Sequence, residues 1–393
     1  MRRISPRTSA RAGTARCRAS TLAVLGTLAV TVLAAGCATA PAAVLGMPAP
    51  TSAPEPTSSL APDSGTPGAV LSGDPSCSID GAAARPVLES YRPPSPMPAP
   101  GHMPPGSEMA AIYARHSLVV GVDQDEYDWA YPNPNPDAKP GETYLGFDID
   151  LLHALADAIF GNPDAIKFVP VAQDFRMGAA HQGIVDVVAD SITITCPRAQ
   201  QVAFSVDYFD AHERLLVPRD NTTISVTLTR NVPDIHGVAG GKICSIGTTT
   251  SVANLTRLAK ADGFRVVLAD NWSDCLALLQ EGAVQAFSTD DSILDGVAAE
   301  DHYLKIGLGS FSNEPHGLAF PLGDAGDGGL VAFANGVLLG LESHRPRYCP
   351  EQPIASDASC WAALYRTWIE EPQQGTGTLK QPPAPPVPTF ISG

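Results

Sequence analysis

Apolar and polar residues alternate with two different periods along the middle of the chain, from about residue 108 to residue 370. Short aliphatic runs favour buried strands, whereas longer segments with one apolar side favour helices. Because the two kinds of segment follow one another in turn, we expect an α/β fold with mostly parallel sheets. The predicted strands are 117–122, 167–171, 184–189, 202–208, 213–217, 242–246, 264–268, 285–288, 304–306 and 317–320. The predicted helices are 107–115, 151–159, 175–182, 252–261, 273–280, 292–298, 330–341 and 359–369.

The beginning of the chain is rich in arginine, and an apolar run at Leu22–Ala35 follows. A basic region, a short apolar core and small residues predict a secretory signal over residues 1–36. Cys37 directly follows Ala-Ala-Gly, which resembles the lipobox of bacterial lipoproteins. We therefore expect cleavage before Cys37 and a lipid on this cysteine, which would hold the protein on the extracellular face of the cell membrane. A plain secretory signal beside an unrelated cysteine is the alternative.

Proline, alanine, serine and glycine dominate residues 37–106 and again residues 371–393. Segments of this composition bury little apolar surface. The sequence therefore predicts a flexible linker before the folded region and a disordered tail after it.

The folded region is long enough for two lobes. Arg219-Asp220-Asn221 has the composition of a turn and is the predicted crossover between them. This crossover assigns residues 107–218 and 320–370 to the first lobe and residues 219–319 to the second.

The formal net charge of the chain is -16, and loss of the arginine-rich signal would make the mature protein more acidic. Nucleic-acid binding requires basic surfaces that neutralise phosphates, so we expect no nucleic acid as a partner. An anionic ligand would have to be held by individual arginines against the field of the whole protein.

Six cysteines remain after the signal and the lipid-bearing position are set aside. An even number in an exported protein predicts disulfides, and six cysteines allow 15 connectivities. We favour two local closures and one long-range bond. The favoured pairs are Cys244–Cys275, Cys349–Cys360 and Cys77–Cys196. No Cys-x-x-Cys motif occurs and the histidines are scattered, so we expect no metal site.

The stretch between Arg176 and Arg198 carries the most suggestive polar pattern. Ser191, Thr193 and Thr195 alternate with isoleucines after a predicted buried strand, and a period of two would place their hydroxyls on one face. Hydroxyl donors and a guanidinium suit a small carboxylate, because a guanidinium makes two parallel charge-assisted hydrogen bonds. The alternative is a threonine-rich edge strand followed by a surface arginine.

Three other polar features have both a structural and a functional interpretation. We expect Asp148 and Asp150 to stabilise a helix N-terminus. A catalytic carboxylate pair is the alternative. Gly247-Thr248-Thr249 lies between a strand and a helix, where free amides bind anions, although a simple helix cap explains it equally well. Tyr127 and Trp129 would either wall a cleft or pack in the interior.

Four segments carry motifs in a fixed order. They are Gly146-Phe147-Asp148-Ile149-Asp150-Leu151, Ser191 to Arg198 with Val202-Ala203-Phe204-Ser205, Gly241 to Thr249, and Glu281 to Ala286 with Thr289-Asp290-Asp291. Together they resemble the polar amino-acid family of extracellular solute-binding proteins, the receptors of ABC importers, over about Leu118 to Ile369. The loop near Gln124 and Glu314-Pro315-His316-Gly317 further resemble an actinobacterial branch of glutamate- or glutamine-binding lipoproteins.

The resemblance implies a type II, periplasmic-binding-protein-like fold of two α/β lobes. A two-strand hinge would join the lobes, and the ligand cleft would lie between them. Carried over by position, Arg198 is expected to hold the ligand α-carboxylate with Thr193 and with Thr248 from the other lobe. Asp290 is expected to take the α-ammonium, because a carboxylate must balance it in a closed cleft. Ser191 is expected to offer a hydroxyl or a backbone contact.

Arg176 stands where glutamate and aspartate receptors of this family often carry an arginine. The resemblance therefore implies that Arg176 holds the side-chain carboxylate of the ligand. Two arginines and one aspartate would balance two ligand carboxylates and one ammonium, which favours an acidic amino acid over glutamine.

We expect a lipid-anchored, monomeric receptor that captures glutamate or aspartate and presents it to an ABC permease, without a cofactor or enzymatic activity. The alternative is a sensor of glutamate, aspartate, glutamine or asparagine that signals through a membrane protein to a cytoplasmic kinase. An enzyme on this scaffold, such as a dehydratase, would need a general acid or base in the cleft. No Ser-His-Asp or Cys-His arrangement stands out, and His181 and His316 have no assigned role.

Overall fold

The computed structural model describes residues 76–78, 84–229, 232–322, 329–342, 349, 359–370 and 384–391. The predicted secretory signal and the predicted lipidation site at Cys37 lie outside these residues. Within them, no helix combines the length and the apolar character needed to cross a membrane.

A five-stranded sheet with buried clusters on both faces forms the first lobe. Leu118, Val120 and Val122 pack on one face and Val119 on the other, because side chains alternate along a strand. In spatial order the strands are Ile166–Pro170, Leu118–Val122, Val187–Ala189, Ala319–Phe320 and Ala203–Phe204. The first three strands are parallel, and Ala319–Phe320 is antiparallel to both neighbours. The helices of this lobe are Glu108–Ala114, Phe147–Phe160, Arg176–His181, Cys196–Ala199, Gly329–Leu341 and Cys360–Tyr365.

The second lobe repeats this plan around another five-stranded sheet. In spatial order its strands are Arg265–Ala269, Lys242–Ile246, Ala286–Asp290, Glu213–Pro218 and Leu304–Ile306. The first three are parallel, and Glu213–Pro218 is antiparallel to both of its neighbours. The helices are Thr250–Asp262, Trp272–Gln280 and Asp291–Glu300, and a hairpin of Ser225–Thr229 with Val232–His236 accompanies them. The predicted α/β class is therefore confirmed in both lobes.

Two antiparallel strands connect the lobes, Phe209–Ala211 and Glu314–His316. The predicted crossover at residues 219–221 is wrong, because Glu213–Pro218 already belongs to the second sheet. The turn composition that suggested it has a local cause. Asn221 Oδ1 accepts the backbone N–H groups of the second and third residues after it, which makes an ordinary loop inside the second lobe.

Parts of the predicted linker and tail are fixed on the first lobe. Ser90 Oγ donates to the carbonyl of Phe204 at 2.7 Å and accepts from Asn335 Nδ2 at 2.9 Å. The strand Glu89–Ser90 in turn pairs in parallel with Thr389–Phe390. Residues 84–106 and 384–391 are therefore ordered, contrary to the prediction from composition. These contacts act together with buried apolar side chains of the same segments, such as Val87 and Met103.

The structure contains all three disulfide bonds that the sequence favours: Cys77–Cys196, Cys244–Cys275 and Cys349–Cys360. The first bond spans 119 residues and ties the N-terminal segment to the first lobe just after Thr195. Long closed loops lose the most entropy in the unfolded chain, so this bond is expected to contribute the most to stability.

We predict that replacing Cys77 and Cys196 together by serine lowers the free energy of unfolding by about 2–4 kcal/mol. Urea denaturation of the oxidised native and variant proteins, followed by circular dichroism, measures the difference. A loss below about 1 kcal/mol would show that the bond restrains the unfolded chain much less than its loop length implies.

Candidate ligand-binding site

A small cavity lies between the lobes, and both lobes contribute to its wall. The first lobe supplies Arg176, Ser191 and Thr193, and the second supplies Thr249, Thr250, Ser251, Trp272, Thr289, Asp290 and Ile293. The cavity volume is ≈ 10 Å³. This is about the room that a single water molecule requires. A larger ligand therefore needs the lobes to move apart before it can enter.

Ser191 lies in a loop after the strand Val187–Ala189. The period-two alternation predicted for Ser191, Thr193 and Thr195 is therefore not that of a continuous strand. Its φ of 41° falls in the left-handed region, which residues other than glycine rarely adopt. Asp148 fixes this conformation: Oδ2 accepts the N–H of Ser191 at 2.9 Å, and Oδ1 accepts the hydroxyl of Tyr208 at 2.7 Å. The hydroxyls of Ser191 and Thr193 therefore reach the cavity through a strained loop and not through strand alternation.

Asp148 and Asp150 lie in the first turn of the helix Phe147–Phe160, where acids meet the helix dipole as predicted, but neither of them caps the helix. Gly146 is the N-cap, and no side chain caps this helix. Asp150 Oδ2 instead accepts the indole N–H of Trp368 at 2.6 Å, while Asp148 supports the Ser191 loop. Burial raises the pKa of Asp148, although its hydrogen bonds oppose the rise. Both carboxyls therefore tie the helix to neighbouring elements.

Arg198 is buried behind Thr193, with 2% of its surface exposed. Its Nη1 donates to the Thr193 carbonyl at 2.9 Å. Thr195 Oγ1 caps the short helix Cys196–Ala199 and accepts the N–H of Arg198 at 3.4 Å. Thr193 Oγ1 lies 3.4 Å from Thr250 Oγ1 of the second lobe. The predicted arginine thus supports the cleft wall where the lobes meet.

Thr248 is exposed, and its hydroxyl donates to the carbonyl of the preceding residue. Its neighbours Thr249, Thr250 and Ser251 line the cavity instead. Thr249 is the N-cap of the helix Thr250–Asp262, which places the free N–H groups of the first helical turn at the cavity. The sequence does not distinguish these hydroxyls, because the turn contains four of them in a row.

Asp290 ends a strand of the second lobe and faces the cavity. Its Oδ2 lies 3.0 Å from Nε2 of His316 in the hinge, and its Oδ1 has no hydrogen-bond partner among the described residues. Burial and Asp291 raise the pKa of Asp290 to about 7, while Arg198 and Arg176 oppose the rise. Burial lowers the pKa of His316 to about 4, so its ring is neutral at neutral pH. The unpaired oxygen is suited to accept from a cationic group.

Arg176 lines the cavity but is held by an acidic partner. Its Nη1 donates to the backbone carbonyl and to Oδ1 of Asp190, both at 3.0 Å. Gln173 Nε2 donates to the same Oδ1 at 2.9 Å and also to Asp123. Asp190 therefore engages one guanidinium nitrogen of Arg176, a partner that the sequence-based charge count does not include.

Two acidic residues of this region, Glu126 and Asp190, carry no role in the sequence-based prediction. Glu126 Oε2 accepts the hydroxyl of Ser191 at 3.0 Å, which brings it next to the cavity wall. Burial raises the pKa of Glu126 well above its ordinary value, and Asp190 and Asp123 add to the rise. Burial raises the pKa of Asp190 to about 7, although Arg176 opposes it. The loop acids near Asp123 were visible in the sequence, but their inward direction depends on the fold.

Oxygens of Asp123, Glu126 and Asp190 lie within 4.8 Å of one another, a spacing that a metal ion would also require. Arg176 and Gln173 already donate into this space, and a guanidinium repels a second cation beside it. The arrangement is better suited to the polar side chain of an organic ligand.

Residues 118–341 match the family model of bacterial extracellular solute-binding proteins, family 3. The chain is 30% identical over 263 residues to the ABC transporter glutamine-binding protein GlnH of Bacillus subtilis (strain 168), which covers 67% of this chain and 85% of GlnH. It is 26% identical over 250 residues to the glutamate/glutamine/aspartate/asparagine-binding protein BztA of Rhodobacter capsulatus, with 61% and 68% of the two chains covered.

The fold is similar to that of holo ArgBP from T. maritima, with a TM-score of 0.50 and 27% sequence identity. The superposition covers 61% of this chain and 95% of ArgBP. The family match begins at the first strand of the first lobe and ends in the helix Gly329–Leu341, so it takes in both lobes and the hinge. The chain therefore belongs to family 3 of the bacterial extracellular solute-binding proteins and has their type II two-lobe fold.

Proposed function

We propose that this protein is an extracellular receptor that captures a polar amino acid by lobe closure and presents it to an ABC permease. The family to which the chain belongs is one of extracellular solute-binding proteins. The relatives from B. subtilis and R. capsulatus are named for binding glutamine and for binding glutamate, glutamine, aspartate and asparagine. The observation that carries the proposal is Asp290, a buried carboxylate that lines the cavity between the two lobes and whose Oδ1 has no hydrogen-bond partner among the described residues.

The α-groups of an amino acid fit the two walls of this cavity. Asp290 would accept the α-ammonium, because its unpaired oxygen needs a donor. Thr193, with Arg198 behind it, and the N-terminus of the helix Thr250–Asp262 would receive the α-carboxylate. Thr250 takes the second-lobe role that the sequence assigned to Thr248.

The finer proposal is an acidic ligand, glutamate or aspartate, with Arg176 as the partner of its side-chain carboxylate. Arg176 lines the cavity, which supports this role. Asp190 already neutralises the guanidinium, however, and Asp123 and Glu126 lie beside it. An acidic ligand would add a further negative charge to this group, whereas an amide ligand would not. Glutamine and asparagine are therefore the competing ligands.

The proposal keeps the lipid on Cys37 and the removal of residues 1–36, both of which rest on the sequence motif. A lipid anchor would hold the receptor beside its permease on the extracellular face of the membrane. The receptor would act as a monomer, because a single chain supplies both walls of the cleft.

Closure rests on hydrogen bonds between the loop after the strand Leu118–Val122 and the second lobe. Trp129 Nε1 donates to the carbonyl of Ser292 at 2.9 Å. Asp125 Oδ2 accepts the N–H of Ser273 at 2.9 Å. Each bond joins this first-lobe loop to the beginning of a different second-lobe helix, so the loop latches the cleft shut.

Gly296 allows this latch to approach closely. A Cβ atom at Gly296 would lie 2.2 Å from the carbonyl oxygen of Tyr127, far inside van der Waals contact. The helix Asp291–Glu300 can therefore contact the loop at Tyr127 only because residue 296 is a glycine, which has no side chain.

We predict that Gly296→Ala weakens ligand binding at least about tenfold, because the added methyl group keeps the lobes apart. The unfolding midpoint without ligand should not fall, since the contact joins two separately folded lobes. Calorimetric titration gives the affinity, and small-angle scattering of the ligand-saturated variant should give a larger radius of gyration than the native protein.

Gly340→Ala is the matched control. It lies in the helix Gly329–Leu341, where an added Cβ meets no heavy atom within 4 Å. It should bind with native affinity. Native affinity in Gly296→Ala as well would contradict the proposed latch.

We predict that Asp290→Asn weakens the binding of glutamate, aspartate, glutamine and asparagine alike, by about a hundredfold or more. The neutral amide no longer balances the α-ammonium, which all four ligands share. Calorimetric titration of the mature protein with its disulfides intact measures the four affinities. If the native protein binds none of the four, the receptor proposal fails. If the variant binds them normally, Asp290 is not the ammonium site.

We predict that Arg176→Lys weakens glutamate and aspartate binding about tenfold more than glutamine binding. Lysine keeps the charge beside Asp190 but loses the planar fork that a carboxylate requires. The same titrations measure the effect, and the exposed Arg265→Lys is the control. If the native protein prefers glutamine and Arg176→Lys binds glutamine equally well, the receptor function stands and the proposal of an acidic ligand is overturned.

A further inference from the structure

The part of the cleft around Arg176 holds an acidic cluster, which we define as Asp123, Glu126 and Asp190. We propose that Glu126 and Asp190 take up one proton when an acidic amino acid binds and take up none when its amide binds. This inference rests on the proposed amino-acid receptor function. It makes the choice between glutamate and glutamine a function of pH.

The geometry brings three carboxyls to one cation. Oxygens of Asp123, Glu126 and Asp190 lie within 4.8 Å of one another, and the side chains are buried. Arg176 Nη1 lies 3.0 Å from Asp190 Oδ1, so its direct ion pair is with one member of the cluster. The other two carboxyls receive neutral donors, from Gln173 to Asp123 and from Ser191 to Glu126.

Two oxygens of the cluster are available for a proton or a ligand. Glu126 Oε1 and Asp190 Oδ2 are buried and have no hydrogen-bond partner among the described residues. A buried carboxylate oxygen without a donor is costly, whereas a protonated carboxyl becomes a donor itself. Glu126 accepts from Ser191 through Oε2 and Asp190 accepts from Arg176 through Oδ1, and both partners line the cavity, so the two carboxyl groups lie directly behind its wall.

An acidic side chain and an amide side chain place opposite demands on these oxygens. The carboxylate of glutamate offers acceptors only, so it needs O–H or N–H donors and adds a negative charge. A proton from solvent on Glu126 Oε1 or Asp190 Oδ2 supplies an O–H donor and cancels that charge. The amide of glutamine brings its own N–H donors, which ionised oxygens accept directly. Only the acidic ligand therefore draws a proton into the site.

The other ionisable groups around Glu126 and Asp190 have hydrogen-bond or charge partners of their own. On the neighbouring helix, Asp148 accepts from Ser191 and from Tyr208. Arg176, Asp123 and Asp148 are the charges that act on Glu126 besides Asp190. Burial raises the pKa of Glu126 well above its ordinary value and that of Asp190 to about 7. A further negative charge would raise both, so the proton is taken up near and above neutral pH.

The sign of the pH dependence follows from this linkage. A complex that binds one more proton than the free receptor loses affinity as pH rises, by about tenfold per pH unit at most. Asp290 and Glu314 also have a pKa of about 7 because they are buried, but they face groups that both ligands share. The ratio of glutamate to glutamine affinity therefore isolates the acidic cluster.

The test is calorimetric titration of the mature protein with glutamate and with glutamine, between pH 6.5 and pH 8.5. At pH 7.5, each titration is repeated in phosphate and in Tris, which release very different heats when they give up a proton. We expect the change of binding enthalpy between the two buffers to differ between glutamate and glutamine by the heat of about one proton, because any proton that Asp290 releases on binding is common to both ligands. We also expect the glutamate-to-glutamine affinity ratio to fall by about tenfold or more across this pH range.

Two variants assign the effect to the pair. Glu126→Gln and Asp190→Asn each remove a titrating group and introduce an N–H donor. In each variant the ratio of glutamate to glutamine affinity should therefore change less with pH. Asp137→Asn makes the same chemical change on the surface of the first lobe and should keep the native profile. The buffer comparison on the native protein needs no variant, so it remains decisive if either substitution prevents folding.

The outcomes separate the inference from the proposed function. If neither ligand binds at any pH, the receptor function fails and the inference with it. If both ligands bind with a constant affinity ratio and with the same buffer dependence of the enthalpy, the receptor function stands and the proton inference is overturned. A native pH profile in both cluster variants would overturn the assignment to Glu126 and Asp190.

Discussion

The ion pair of Arg176 with Asp190 sets what the rest of the cleft can do. Arg176 donates both to the carboxylate and to the backbone carbonyl of Asp190, so it holds the loop that leads directly to Ser191. Both partners are buried, and removing either would leave an uncompensated charge. The pair therefore shapes the loop of Ser191 and already gives the guanidinium an acidic partner. Under the proposed function, the choice between an acidic ligand and its amide would depend on how that one guanidinium is shared.

The fold class could be predicted from the sequence because the hydrophobic periodicity and the order of the motifs do not depend on how the loops fold. Strand Leu118–Val122 alternates between two buried clusters, as its apolar pattern predicts. The crossover was misplaced because Glu213–Pro218 has the same apolar pattern in either sheet, and only its antiparallel pairing assigns it to the second lobe. The proline-rich composition predicts disorder for a similar reason. Composition does not reveal that Asn335 donates to Ser90 and Tyr91, or that Thr389–Phe390 pairs with Glu89–Ser90.

The site could be predicted where a family motif marks a residue, and less so where a loop folds inward. Asp290 is expected from the family resemblance, and the structure brings it to the cavity at the end of a strand. Thr248 is one residue away from the hydroxyls that line the cavity, because a run of threonines leaves the register of the helix cap open. Glu126 could not be placed at all. Its inward direction depends on a tight loop in which Glu126 pairs with Ala130.

In the proposed receptor, a contact between the hinge and Asp290 would link ligand recognition to closure of the lobes. His316 lies in the hinge strand opposite Phe209, and its Nε2 is 3.0 Å from Oδ2 of Asp290. Because burial lowers the pKa of His316 to about 4, the ring is a neutral partner that leaves the carboxylate free to balance an ammonium group. Any hinge motion that moves this strand relative to the second lobe changes the Asp290 environment directly. The ammonium group of a ligand would therefore be sensed at the residue pair that couples the lobes, so binding and closure would share one contact.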